Sequence, residues 1–276
     1  VDVKASRDDS RFEFGKNWTA FLKSVDERRI ESSMESLRSM LGRERLDGKT
    51  FLDIGCGSGL SSLAAIRLNA TVHAFDFDNA SVACAKELKR RYAEEVIQWM
   101  IEQGSALDQH YLQSLGQFDI VYSWGVLHHT GHMNRAIELA TDRVRKGGLL
   151  FIAIYHDQGS ASRRWAMVKR IYQRLPAILR PAWVAAIASI YEAKFAMARL
   201  PRGQNPLPFA DWKNKASDRG MSAWYDWVDW VGGWPFEVAS PDNIINPLAD
   251  KGFGLVRLKT VGNGWGCNEY VFQREQ

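Results

Sequence analysis

Residues 51–59 read Phe-Leu-Asp-Ile-Gly-Cys-Gly-Ser-Gly, and His73-Ala74-Phe75-Asp76 follows one short apolar segment later. Gly55, Gly57 and Gly59 let the chain turn sharply and bring bare backbone against a ligand, because glycine has no Cβ and accepts positive φ. A helix opening at Leu60 would aim its first N–H groups at whatever rests on that turn. Asp76, at the end of the next apolar run, is placed to accept both hydroxyls of a ribose. Asp53 adds a second carboxylate two residues before Gly55. The chemistry read here is nucleoside binding; the second substrate stays open.

A second set of reactive side chains follows another apolar run. Phe118–Trp124 leads through Gly125-Val126-Leu127 into His128-His129. Histidine titrates near neutrality and suits removal of a proton from a hydroxyl. Either ring is a candidate base, His129 before His128, while the competing reading has a ring bonding only backbone. His156 and Asp157 follow the next strand on the same edge, as substrate contacts or as an Asp-containing turn. Trp224, Trp227 and Trp230 recur every three residues, as do Asp226 and Asp229. On a helix that is a packing stripe or, with its carboxylates, a surface for a sugar or a cationic amine.

The elements that must position these groups follow from the apolar pattern. Strands are expected at Lys49–Ile54 and Thr71–Phe75, and helices at Leu60–Leu68 and Asn79–Tyr92, the latter capped by Asn79 or Ser81. Residues 1–45 form a helical lead-in containing Glu27–Leu41, preceded by Phe14-Gly15-Lys16-Asn17-Trp18, an aromatic cluster that folds over a cofactor or packs on the core. Residues 46–155 are the nucleoside-binding core. Residues 156–240 are a mainly helical insertion on the substrate side, with helices near Ser162–Leu175 and Pro181–Ala198. Residues 241–276 complete the core: Ser240-Pro241 starts a helix running to about Lys251, and Gly254–Val261 with Asn268–Gln273 make a β-hairpin.

Composition narrows the function classes. The chain has 276 residues, 46% of them hydrophobic, enough for one large core with a cap. Three cysteines without CxxC spacing argue against a metal site or a disulfide framework and for a reduced, cytoplasmic protein. No apolar run approaches the length of a membrane span. A net charge of +4 is too small to demand nucleic acid. The distribution is more telling: between Asp157 and Glu192 there is no acid, while Arg163, Arg164, Lys169, Arg170, Arg174 and Arg180 all fall there. That segment reads as a solvated cationic face on a packed helix, and it also allows contact with phosphate or an anionic membrane.

The glycine spacing G-x-G-x-G, with Asp53 before it, differs from the G-x-G-x-x-G of dinucleotide enzymes. It resembles the first motif of class I S-adenosylmethionine-dependent methyltransferases. Three further segments resemble that family in order: 103–108 (Gln-Gly-Ser-Ala-Leu-Asp), 118–129, and 145–153 (Arg-Lys-Gly-Gly-Leu-Leu-Phe-Ile-Ala). The resemblance covers about residues 46–156. It implies a Rossmann-like, seven-stranded mixed α/β sheet whose last strand runs antiparallel between two parallel ones. It also implies S-adenosyl-L-methionine as cofactor and S-adenosyl-L-homocysteine as product. Gly55, Gly57 and backbone near Trp124 would hold the methionine part, Asp76 the ribose, and Phe77 with the Ser105–Ala106 backbone the adenine. Asp53 would act through water or the amino group, and Trp18 would cover the site. The family commonly has an acid where Ser105 stands. Ser123-Trp124-Gly125-Val126 lacks the N/D-P-P-Y/W pattern of nucleic-acid base methyltransferases.

Phe14–Trp18, residues 155–159, 229–233 and 266–270 resemble a bacterial group with surface-polysaccharide or secondary-metabolite functions, loosely similar to quinone-ring methyltransferases. The expected reaction is O-methylation of a hydroxyl on a sugar, polyol or related small molecule or glycan, with the acceptor meeting His129, His156, Asp157, Asp226 and Asp229. A phenol or quinone ring is the alternative acceptor. A non-catalytic nucleoside-binding scaffold is the alternative of another class. The oligomeric state is not readable from the sequence.

Overall fold

The structure is a computed structural model that describes Leu22, residues 25–203, Asn205, residues 223–262 and residues 264–276. Its sheet is built from β1 (Thr50–Ile54), β2 (Thr71–Asp76), β3 (Trp99–Gln103), β4 (Phe118–Trp124), β5 (Val144–Tyr155), β6 (Phe253–Lys259) and β7 (Cys267–Arg274), in the order β3-β2-β1-β4-β5-β7-β6. β1 pairs in parallel with β2 and β4, and β5 joins β4 in parallel, whereas β7 runs antiparallel to both β5 and β6. This is the mixed sheet expected, with the last strand inserted between two others.

Both faces of the central strands are covered, so these strands read as continuous apolar runs rather than alternating ones. Phe51 packs on one side with Leu63, Ala85 and Trp99. Its neighbours Leu52 and Ile54 pack on the other with Phe75, Val121 and Ile152. The helices around the sheet include α1 (Glu27–Leu41), α2 (Leu60–Arg67), α3 (Asn79–Tyr92), α4 (Gln109–Ser114) and α5 (Met133–Thr141). α1 starts on Asp26, whose carboxylate accepts from Arg29 N, and ends on Gly42 at φ 64°.

Two caps differ from expectation. α3 is capped by Asp78, which accepts from Ala80 N at 2.8 Å, so Asn79 is already the first helical residue. Ser240 stands at the start of the later helix Pro241–Ala249 but makes no side-chain cap.

The described chain divides into two compact units at Gly159/Ser160 and Phe236/Glu237. The insertion is therefore shorter at both ends than the expected 156–240. The reason is local: Asp157 N donates to Ala239 O at 3.0 Å and Ala239 N to Tyr155 O at 3.0 Å, which ties both flanks to the edge of the sheet.

The inserted unit contains α6 (Ser160–Arg174), α7 (Arg180–Arg199) and α8 (Ala223–Gly232), and Pro241–Ala249 is then α9. Its own core holds Trp165, Tyr172, Val184, Ile187, Trp227 and Val231. Trp165 stacks on Tyr191 at 4.8 Å and meets Trp230 edge-on at 5.4 Å. The tryptophans of α8 are therefore packing residues, with the exception of exposed Trp224. A three-residue repeat drifts by about 60° per step around a helix of 3.6 residues per turn, which carries Trp224 toward solvent while Trp227 and Trp230 face the unit's core.

The basic segment also departs from a uniformly solvated face. Arg163, Arg164, Arg170 and Arg174 are exposed, but Lys169 is completely buried. Its ammonium group donates to Trp230 O and lies 5.0 Å from the Phe236 ring centroid. Burial pulls the Lys169 pKa down from 10.5 to about 7, opposed by the Asp229 carboxylate. No helix among the described residues is long and apolar enough to cross a membrane.

The unfolded chain binds a proton at Lys169 up to its ordinary value, whereas the folded chain releases it near pH 7. Stability of this unit therefore rises as pH increases from about 7 toward 10. Lys169→Met should abolish that rise: in urea unfolding followed by tryptophan fluorescence, the gain from pH 7 to 9 belongs to the wild type alone. An equal gain in the variant contradicts the assignment.

Candidate functional site

The glycine turn joins β1 to α2 and lies across the end of β2. Gly55 N and Cys56 N both donate to Phe75 O, at 2.8 and 3.0 Å, and Gly57 N donates to the Asp76 carboxylate at 2.9 Å. Gly55, Gly57 and Gly59 have φ of 78°, 53° and 81°, the left-handed region where side chains are strained. Space enforces the same choice. A Cβ on Gly55 would stand 2.4 Å from a methyl of Val126, and one on Gly59 would stand 2.9 Å from Ala85 Cβ.

Asp76 caps the end of β2, with its second oxygen accepting from Asp78 N at 2.9 Å. Burial raises its pKa even though backbone hydrogen bonds pull the other way. Phe77 is 53% exposed, an unusual position for a phenylalanine. Its carbonyl accepts from Gln103 Nε2 at 3.1 Å, and Gly104 N donates to Asp76 O at 3.0 Å. The loop carrying Ser105 and Ala106 is thereby tied beside Asp76 and Phe77. Ser105 turns its hydroxyl to its own loop, accepting from Leu107 N at 3.2 Å. Gly55, Gly57, Asp76, Phe77, Ser105 and Ala106 thus meet at one end of neighbouring strands, and could hold a nucleoside.

Asp53 lies elsewhere than expected. It is 1% exposed beneath the turn, accepting from Ser62 Oγ of α2 at 2.5 Å. Burial pushes its carboxyl up to about 7. It anchors turn to helix rather than facing a ligand. Cys56, in the same turn, is buried, and burial pushes its thiol pKa well up, as expected of an unreactive residue. All three cysteines are free and buried.

Trp124 ends β4 half-exposed, and Gly125 follows at φ 75°, its N–H donating to Ala153 O at 3.1 Å. Val126 then leads into a 3₁₀ turn, Leu127–His129. Here the two histidines part. His128 is fully buried, its ring 4.0 Å from that of Tyr155 and its Nδ1 accepting from Tyr155 N at 3.4 Å. It belongs to the packing, which corrects its reading as a base. His129 is half-buried and sits edge-on to Tyr155 at 5.4 Å.

His156 and Asp157 leave β5 at the sheet edge. His156 Nδ1 accepts from Asn268 Nδ2 at 3.1 Å, and Asp157 accepts from Gly159 N at 2.8 Å, closing an Asp turn. Asp229 lies on α8 in the inserted unit, and Asp226 shares that helix, though its side chain lies outside the described residues. Trp18 also lies outside them.

Two residues escaped sequence reasoning. Glu237 N donates to His128 O at 3.0 Å, and the Glu237 carboxylate accepts from Met133 N at 3.0 and 3.2 Å, capping α5. Burial raises its pKa. Glu237 therefore braces both ends of the segment that carries His129. Asn268, buried on β7, fixes His156 and accepts from Val261 N at 3.0 Å. Each acts on a partner distant in sequence, so no local pattern marks Glu237; Asn268 falls within a segment singled out only by resemblance.

Residues 52–150 match the family model described as a methyltransferase domain. A ubiquinone biosynthesis O-methyltransferase from Methylobacterium sp. (strain 4-46) is 31% identical over 122 residues, which is 42% of this chain and 45% of that protein. Another of the same description, from Agrobacterium fabrum, is 31% identical over 109 residues, 39% of this chain and 41% of that protein. The chain spans less than half the length of the curated relatives it matches. In fold it is similar to magnesium protoporphyrin IX methyltransferase from Synechocystis PCC 6803 with bound S-adenosylhomocysteine, at a TM-score of 0.52 and 14% identity, over 93% of this chain and 84% of that one.

Two consequences of the site's construction are measurable. Asp53 binds its proton more tightly folded than unfolded, so it favours the fold as pH falls from about 7 toward 3.8 and opposes it above. Asp53→Asn keeps an acceptor for Ser62 and should remove that slope, gaining on the order of a few kcal/mol relative to wild type above pH 7; parallel stability–pH curves would contradict it. Glu237→Ala leaves the first amide of α5 without its acceptor and should lower stability by about 1–2 kcal/mol in thermal unfolding, with Glu237→Gln affected less.

Proposed function

We propose that this class I methyltransferase transfers a methyl group from S-adenosylmethionine to a hydroxyl oxygen of a small-molecule acceptor, leaving S-adenosylhomocysteine. One observation carries the reading: a bare glycine turn, tied to the end of β2 by three backbone donors, stands beside a carboxylate and an exposed phenylalanine ring. The residues present fit the cofactor. Asp76 would accept from the ribose hydroxyls, Phe77 would face the adenine with the Ser105–Ala106 backbone, and Gly55, Gly57 and the Trp124 backbone would line the methionine part. When bound, the cofactor supplies a methyl carbon that its sulfonium already makes electrophilic.

What remains for the protein is alignment, exclusion of water and one proton. His129 is the candidate for the proton, being the member of the pair that is not enclosed. The Tyr155 ring and the 3₁₀ turn hold its imidazole in place. An imidazole near neutrality matches a phenolic hydroxyl, of pKa about 10, far better than an alcohol. The relatives named for ubiquinone biosynthesis also favour a ring hydroxyl. The sugar or polyol reading drew on an aromatic face beside Asp226 and Asp229, and Trp227 and Trp230 of that face are engaged in packing. We therefore place a phenolic or quinol ring ahead of a sugar.

The test supplies the purified chain with labelled S-adenosylmethionine and separate phenolic, glycan and lipid-soluble acceptor fractions. Asp76→Ala should abolish the thermal shift given by S-adenosylhomocysteine. His129→Ala should keep that shift and lose about 10²-fold or more in kcat. Affinity for S-adenosylhomocysteine should weaken on acidification through the raised Asp76 pKa, at a higher pH than an ordinary aspartate would give. Absence of a thermal shift in the wild type sinks the proposal; a shift without labelled product in any fraction points to the nucleoside-binding scaffold.

A further inference from the structure

The inserted unit exposes apolar side chains where a water-facing surface normally carries mixed charge. α6 and α7 are joined by Leu175-Pro176-Ala177-Ile178-Leu179, and Ile178 and Leu179 are 86% and 50% exposed. Among the exposed residues of α7 from Pro181 to Met197, Lys194 carries the single charge; the others are proline, alanine, serine, Ile190 and Met197. On α6 the exposed charges are all arginine: Arg163, Arg164, Arg170 and Arg174. Arg170 lies over the Trp234 ring at 5.4 Å, and no carboxylate pairs with any of the four among the described residues. One helical hairpin thus combines an apolar tip, an α7 face with a single charge and four exposed arginines on α6.

We infer that this helical hairpin is a docking surface for an anionic phospholipid bilayer, with Ile178 and Leu179 entering the acyl boundary and Arg163, Arg164 and Arg174 meeting headgroup phosphates. Both halves of the surface contribute. Buried apolar area supplies depth, and basic residues near an anionic surface add about fivefold in affinity each. Arginine suits the role because its stem lies along apolar surface while its guanidinium stays with phosphate. Charge complementarity selects the occupant: arginines spread along one helix with no acid among them match a continuous field of phosphates, which an anionic bilayer supplies. The inference stands independently of the acceptor's identity.

The experiment is vesicle flotation of the full chain. Phosphatidylcholine vesicles containing phosphatidylglycerol should carry the protein, pure phosphatidylcholine vesicles should not, and added salt should weaken the binding. Replacing Arg163 and Arg174 together by alanine should reduce partitioning by about fivefold per arginine. Ile178→Asp with Leu179→Asp, at positions already in water, should abolish flotation while leaving the circular dichroism spectrum and thermal midpoint unchanged. The proposal is overturned if neither vesicle binds, if both bind equally, or if the aspartate pair floats like wild type. It is equally overturned if sedimentation shows a dimer that the aspartate pair dissociates, since the apolar tip would then meet a second copy.

Discussion

The fold around the candidate site depends on how little room the turn after β1 is given. Its backbone must reach both the carbonyl of Phe75 and the carboxylate of Asp76, and its other side lies against Val126. Only a residue without Cβ at Gly55 satisfies both approaches. The consequence spreads along the chain, because Val126 opens the 3₁₀ turn that carries His129. The cradle for a nucleoside and the candidate base are thus set by one steric contact. Glu237 completes the brace by holding the His128 carbonyl and the first amide of α5 at once.

Electrostatics near the turn has one theme. Asp53, Asp76 and Glu237 are each pushed up by burial, and each is held by neutral donors: a serine hydroxyl for Asp53, backbone amides for the other two. Neutral dipoles satisfy the oxygens without cancelling their charge. In a poorly solvated place such charge acts over longer distances than it would in water. Asp76 in particular keeps acceptor capacity that a fixed arginine beside it would have taken up.

The core was legible because its signals are local. Glycines at alternate positions, apolar runs of strand length and the Ser-Pro helix start act within a few residues, and the strands and helices appear within a residue or two of their expected ends. Misplaced details came from competition between adjacent residues, as when Asp78 rather than Asn79 took the cap of α3. The site was less legible. His128 and His129 are identical in type and adjacent, and only the packing of Tyr155 decides which ring is enclosed. Asp53 stands at the motif yet faces Ser62, because alternate residues of a strand point to opposite faces. Glu237 had no signal at all, since its carboxylate meets an amide 104 residues away.

The inserted unit inverts the usual partition of side chains. A lysine is enclosed, bonded to the Trp230 carbonyl among aromatic rings, while Ile178 stands in water a few residues further on. Each choice is unfavourable alone: burial works against the charged form of an ammonium, and exposure wastes the transfer free energy of an isoleucine. The two observations differ in kind, however. Lys169 has its donor satisfied inside the unit, so its environment is complete. Ile178 is 86% exposed and has no such enclosure among the described residues. What the lysine needs is present in its own unit, and what would cover the isoleucine is, on our inference, the acyl boundary of a bilayer.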